Sequence, residues 1–307
     1  MINNKKNSNF GFFFHILKVG GVMNIKNLFQ ALFVFALLFF SFYYTEKSIE
    51  LVREVDPIMK QIKTTSDKYE IEAIDAKVTG NLMVPGISGR QIDYEKSYSK
   101  MKQYGNYNEA LTVFMETTPT VSIDDYYDKY IVSGNKEKKS VALVFTVKEE
   151  KELLKIVSIL NMKNVAATFF IDGLYMENNL STVEKLLDYE LELLSYDNKF
   201  EEVYFASAVD YLNNVTKKEA KFCYAEYDDK NIIELCSKLK LHTIIPTINV
   251  KDSPYKEVKE KLMNASIIAF PVSKKISDEL RIVIDHISQK GYAFQTLEEL
   301  LNEFQDN

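Results

Sequence analysis

The polarity pattern divides the chain into three stretches. Residues 28–44, LFQALFVFALLFFSFYY, form a nearly unbroken apolar run interrupted only by Gln30 and Ser41. Its roughly seventeen residues are just enough to cross a bilayer, and it has no polar face that would suit a buried core helix. Charged sequence follows over 45–76, with Ile49, Val52, Val55, Ile58, Met59 and Ile62 at roughly helical spacing around Asp56-Pro57. This predicts a helical stalk, broken at the proline, whose apolar stripe docks on its own domain or on a partner helix. Residues 77–136 are punctuated by Pro85-Gly86 and Ser88-Gly89 and contain a short helical segment over 94–101 and the alternating LTVFMET. They are expected to form a small α+β module ending in the polar hinge Ser133-Gly134-Asn135-Lys136.

From Val141 onward, strand-length apolar runs alternate with helical periodicity. The runs are VALVFTV, AATFFID, LELLSY, KFCYAEY, HTIIPTINV, SIIAFPV and YAFQT, with helical stretches at 150–162, 180–189, 232–241 and 276–290. About seven units repeating in one direction imply a parallel sheet flanked by helices. Short units of some 24 residues favour a closed or nearly closed barrel over an open sheet, with functional residues at the C-terminal strand ends. The expected organisation is a cytoplasmic segment 1–27, a transmembrane anchor 28–44, a stalk 45–76, a module 77–136 and a barrel domain 137–307.

Charge refines this picture. Lys5, Lys6, Lys18 and Lys26 precede the apolar run and Glu46 follows it, a bias that keeps the N-terminus in the cytoplasm and sends the rest across. TEKS after the run offers no pair of small residues for signal peptidase, so an uncleaved anchor is expected. Gly20-Gly21 just before Met23 is what a translated ribosome-binding sequence would give, which places the expected start at Met23. The net charge of −6 is spread over interspersed acids and bases, leaving no basic stripe for nucleic acid. Cys223 and Cys236 are too few for a disulfide framework or a zinc ribbon and are expected to be buried thiols. The three histidines, His15, His242 and His286, include no closely spaced pair, which restricts any metal site.

Three segments carry a family resemblance. Val141 to Phe145 looks like the first strand of the polysaccharide deacetylases of the NodB homology type. Asn164-Val165-Ala166-Ala167-Thr168-Phe169-Phe170 is similar to their second strand, typically NVKATFF, and Lys290-Gly291-Tyr292-Ala293-Phe294-Gln295-Thr296-Leu297-Glu298-Glu299-Leu300 resembles their closing GYxFxTLxEL. The resemblance covers about 138–307 and implies a partial (β/α)7-like α/β barrel of the polysaccharide deacetylase type. The upstream PGISGRQIDYEKSYSKMKQYGNYNE and DDYYDKYIVSGNK look like a region of membrane-anchored members from low-GC Gram-positive bacteria.

Family members hydrolyse acetyl groups on sugars with a divalent metal held by one Asp and two His, a second Asp as base and a late His as acid. Laid on that pattern, TFDDG becomes Val144-Phe145-Thr146-Val147-Lys148, with Thr146 at the base position and Val147 at the metal position. HSxxH becomes Leu194-Ser195-Tyr196-Asp197-Asn198, so Leu194 and Asn198 replace both ligand histidines. The arginine motif becomes Cys223-Tyr224-Ala225-Glu226-Tyr227, and Pro271 stands where the acid histidine would be. Losing all three ligands removes the charge and geometry that hold a divalent cation. The implied protein is a pseudoenzyme with no catalytic residue, metal or other cofactor.

The family cleft is a sugar groove, and Tyr196, Tyr224 and Tyr227 are candidates for stacking on glycan at its rim. Cell-wall glycan or an envelope protein is therefore the expected partner. Glu149, Asp172, Asp197, Glu226, Asp228, Asp229 and Asp252 at strand ends leave open a carboxylate site for glycoside hydrolysis or calcium, against the simpler reading that turns and helix starts attract aspartate. A relocated deacetylase site would involve Asp172, Asp197 and His242; otherwise His242 and His286 are structural.

Overall fold

The computed structural model describes residues 25–148, 151–194 and 202–304. The expected start at Met23, the cytoplasmic segment before it, Glu149, and the stretch holding Tyr196, Asp197 and Asn198 lie outside the described residues.

Two compact units are present: 25–66 with 94–113, and 67–93 with 114–304. In the first, one helix, Ile25–Val55, runs through the apolar segment and on into the stalk. It is long and apolar enough to cross a membrane. Asp56 stops it and caps the next helix, Pro57–Thr65, by accepting from the Ile58 N–H at 2.9 Å with proline in the first turn. Ile58, Met59 and Ile62 are buried, as are Tyr98 and Met101 on helix Tyr94–Tyr104. Part of the stalk stripe therefore docks within its own unit. Tyr98 and Lys102 both donate to Asp56, at 3.1 and 2.7 Å, and hold that carboxyl below its ordinary range, with Lys102 the largest cause.

The second unit is built on β1 (Lys77–Thr79), β2 (Leu82–Val84), β3 (Gly89–Ile92), β4 (Phe114–Thr117), β5 (Tyr130–Ile131), β6 (Ser140–Val147), β7 (Thr168–Ile171), β8 (Glu190–Leu193), β9 (Phe222–Tyr224), β10 (His242–Ile244), β11 (Ile248–Asn249), β12 (Ser266–Pro271) and β13 (Ala293–Gln295). The main sheet runs β1-β2-β5-β10-β9-β8-β7-β6-β12-β11, and β13 joins the first half of β6. Every pairing in it is parallel except β1 with β2. Segment 77–136 thus does not stand apart: β1, β2 and β5 extend the barrel sheet, and the helix Tyr94–Tyr104 goes with the other unit.

HTIIPTINV is two strands, because Pro246 cannot donate to a ladder. Its halves sit at opposite ends of the seven-strand arc from β10 to β11. Three residues lie between Ile244 and Ile248, so those ends lie within about 14 Å, which requires the sheet to curl nearly shut. Thr247 stitches the gap: its hydroxyl donates to Val132 O at 2.7 Å and accepts from Ile267 N–H at 3.1 Å.

Alternation along the strands separates two cores. Val141, Leu143, Phe145 and Val147 of β6 join the cluster on the helix side, which includes Leu153, Ile156 and Leu160 of helix Leu153–Lys163 and Ile276, Leu280 and Val283 of helix Lys274–Gln289. Ala142 and Val144 face the barrel interior with Ile131, Phe170, Phe222, Ile244 and Ala269. Asn164 ends the first of those helices in the left-handed region, φ 51°, as a C-terminal asparagine often does. The closing TLEEL is a capping box, Thr296 with Glu299, opening helix Leu297–Leu301. That short helix contributes Leu297, Leu300 and Leu301 to the interior cluster, and Leu297 N–H donates to Thr168 Oγ1 at 2.8 Å.

Candidate functional site

The motif-equivalent positions lie at the C-terminal strand ends. Thr146 pairs in register with Phe170 on β7 and Pro271 on β12. It is half-buried, on the interior parity of β6, and its carbonyl accepts from Val272 N–H at 3.1 Å. Val147 is buried on the opposite face, in the helix-side core. Its side chain is part of the packing that holds the helices to the sheet, and it does not line the cleft.

Leu194 follows β8 with its N–H donating to Ile171 O at 2.9 Å. It is 3% exposed and belongs to the interior apolar cluster with Phe170 and Tyr224. Pro271 ends β12 and is exposed. Thr146, Leu194 and Pro271 therefore stand at the ends of β6, β8 and β12 on one rim of the sheet. Asn198 lies outside the described residues.

These residues do not fit the divalent cation of the deacetylase fold. Among the described motif positions the side-chain oxygen donor is the neutral threonine hydroxyl, Leu194 presents hydrocarbon, and Val147 faces away. A cation entering there would lose its water without gaining charge. Among the described residues no group of three or more His, Cys, Asp or Glu is placed to hold a metal.

The cysteine expectation is corrected: Cys223 and Cys236 form a disulfide, with Cα atoms 6.3 Å apart. Cys223 sits on the helix-side parity of β9, and Cys236 on helix Lys230–Lys238, which follows that strand and packs back against the same core. Spacing of 13 residues is what one strand-to-helix return requires, a signal that a count of cysteines overlooks.

Of the three tyrosines proposed for a glycan rim, Tyr227 is exposed, at 63%. Tyr224 is corrected: it is 7% exposed, with its ring 5.5 Å from that of Phe170. Even numbering on β9 turns it into the barrel, and burial, then Glu226, pushes its phenol well above the ordinary range. Tyr196 lies outside the described residues. Several carboxylates have plain structural roles, Asp172 and Asp229 as helix N-caps and Asp252 in a surface ion pair. Asp172 accepts from Tyr175 N–H at 2.8 Å, Asp229 from Asn231 N–H at 2.9 Å, and Asp252 pairs with Lys275 at 2.9 Å.

His242 begins β10, at the opposite end of the strands from the motif positions. Its Nε2 bonds Asp124 Oδ1 at 2.9 Å and its ring stacks on Tyr127 at 4.4 Å. Burial lowers its pKa in spite of Asp124. His286 lies on the helix Lys274–Gln289, with its ring edge-on to Tyr255.

Sequence reasoning overlooked Glu190 and Glu192, although ELEL alternation on β8 turns both toward the interior. Glu192 is buried and accepts from Lys221 and Phe222 N–H at 3.0 and 3.1 Å. Glu190 accepts from Thr168 Oγ1 at 3.1 Å and Glu298 N–H at 3.0 Å. Burial raises both carboxyls above the usual range. They anchor β9 and the closing helix at the end of the barrel away from the motif positions.

No family model matches the chain. It is similar to the uncharacterized protein YlxY of Bacillus subtilis, 25% identical over 277 residues, covering 83% of this chain and 87% of that one. Among solved structures, wild-type BA3943 of Bacillus anthracis, a CE4 family pseudoenzyme, gives a TM-score of 0.64 at 23% identity, covering 82% of this chain and 97% of that one. The Bc1960 peptidoglycan N-acetylglucosamine deacetylase gives 0.52 at 19% identity, over 60% and 97% respectively. The curled parallel sheet, its helix layer and these neighbours agree: the chain has the fold of the CE4 polysaccharide deacetylases.

Proposed function

We propose that this protein is a membrane-anchored, extracytoplasmic deacetylase-like pseudoenzyme that binds cell-envelope glycan without removing acetyl groups. The observation that carries the reading is the chemistry of the strand-end rim, where Thr146, Leu194 and Pro271 stand in place of ionisable groups and Val147 belongs to the opposite core. No described residue of the motif positions can generate a metal-bound hydroxide or protonate a leaving group. Two features support an outward location. Lysines precede the apolar helix, and the bonded Cys223–Cys236 pair suits an oxidising compartment. The solved neighbours supply the substrate class by analogy, since Bc1960 is a peptidoglycan N-acetylglucosamine deacetylase.

Tyr227 is the described residue best placed to contribute an aromatic face to a sugar ring. The full chain in detergent should co-sediment with insoluble peptidoglycan, and Tyr227→Ala should weaken retention by roughly three- to tenfold, the loss of about 0.5–1.5 kcal/mol of aromatic contact. Absence of retention together with stoichiometric co-purification of another envelope protein would replace glycan binding with a scaffold role. Acetate release from the same glycan would instead point to a relocated site.

A further inference from the structure

A cleft of about 840 Å³ opens at the end of the strands away from the motif positions. Its floor includes Phe222 and His242, which pair in register as the first residues of β9 and β10. One wall is a stripe of the helix Glu202–Thr216, where Ala206, Val209, Asp210 and Asn213 recur at the i, i+3, i+4, i+7 spacing of a single face. Another is the closing segment, with Leu301 and Phe304. Hydrogen bonds tie these walls to the rest of the unit. Asn213 Oδ1 accepts from Ala220 N–H at 2.7 Å, and Glu303 accepts from Gly86 N–H at 2.6 Å and Ile123 N–H at 3.2 Å.

Five carboxylates and two lysines border the cleft, so its charge is acidic. Glu303 is occupied within the wall, and Glu298 pairs with Lys221. Asp210 and Glu219 are exposed and have no ion-pair partner among the described residues, with Lys240 as the remaining lysine. The His242 side chain is 7% exposed, and its Nδ1 is buried with no hydrogen-bond partner among the described residues. Asp124 can only accept, so the bond between them uses Nε2–H. In the neutral ring, which burial favours, Nδ1 is then an acceptor as well. The cleft thus combines an apolar floor with acceptors in excess of donors and negative charge in excess of positive. An anion is repelled there, and a neutral hydrocarbon leaves the acceptors unmet.

We infer that this cleft binds a basic peptide segment of another protein, one in which arginine or lysine alternates with apolar side chains. The inference does not depend on glycan binding, because none of the motif positions lines the cleft. The acceptors come from separate segments: Asp124 from the turn Ile123–Asp125, Asp210 from the helix, and Glu219 from the loop leading to β9. An extended chain with several cations suits that distribution better than a single ammonium. The volume also matches the roughly 300–1,000 Å³ of clefts that take ligands larger than one side chain.

The test is fluorescence anisotropy of a labelled peptide of alternating arginine and leucine, titrated with the full chain in detergent. Its glutamate–leucine counterpart and free arginine amide are run beside it. The arginine peptide should bind, more weakly as salt is raised, and the glutamate peptide should not. Asp210→Asn combined with Glu219→Gln should weaken binding by roughly three- to tenfold. Ala206→Phe fills the cleft from a half-buried helix position and should weaken it by about tenfold or more. Glu260→Gln, at an exposed acid on the helix Pro254–Lys261, should change it by less than about twofold. No binding, or binding that neither cleft variant weakens, overturns the inference, as does equal binding of the glutamate peptide. Arginine amide that competes as well as the peptide, mole for mole, assigns the cleft to a small organic cation and overturns the peptide partner.

Discussion

Val147→Asp, the change that would return a carboxylate to the metal position, is expected to unfold the barrel rather than prepare it for catalysis. Val147 is wholly buried in the helix-side core of β6. An uncompensated charge there costs about 3–5 kcal/mol. The new carboxyl would bind its proton more tightly folded than unfolded, so the loss should be smallest near pH 4 and grow toward neutral pH. Thr146→Asp, one residue earlier and facing the half-open rim, should change stability by no more than about 1 kcal/mol. Urea unfolding of both variants at pH 4 and pH 7 separates them. Equal, small effects would place Val147 in the cleft and refute the assignment of faces.

Removing the Cys223–Cys236 bond should have the second largest effect. The bond closes a 13-residue separation between β9 and its following helix, and a loop of that size is worth about 3 kcal/mol in the chain-entropy account. Cys223→Ala with Cys236→Ala should lower the midpoint of thermal unfolding by roughly 6–12 °C for a domain of this length. The wild-type protein, denatured without reductant, should show no reactive thiol. Two thiols per chain under those conditions would contradict the pairing.

Much of the barrel is readable from periodicity because its strands are buried on both faces and its helices on one. VALVFTV, AATFFID and SIIAFPV correspond to β6, β7 and β12, and Ser273 and Thr296 cap the helices that follow β12 and β13. What escapes is set by contacts distant in sequence. Tyr130–Ile131 is too short to announce a strand and becomes one because β10 and β2 offer edges on either side. HTIIPTINV reads as one apolar run, and only closure of the sheet assigns its halves to opposite ends of the arc. At the site, the motif losses are legible residue by residue, but the face each residue occupies is not. Val147 and Leu194 look like equivalent missing ligands in the sequence. Strand parity sends the first into the helix-side core and the second into the barrel interior, next to a Tyr224 that the same parity removes from the rim.

The central claim is that the motif positions no longer prepare a metal or a nucleophile. It is tested most directly by elemental analysis of the purified full chain together with an assay of acetate release from acetylated chito-oligomers and peptidoglycan. The account predicts well under one equivalent of zinc, cobalt or nickel per chain and no acetate release that a chelator suppresses. One equivalent of metal with chelator-sensitive acetate release would contradict it.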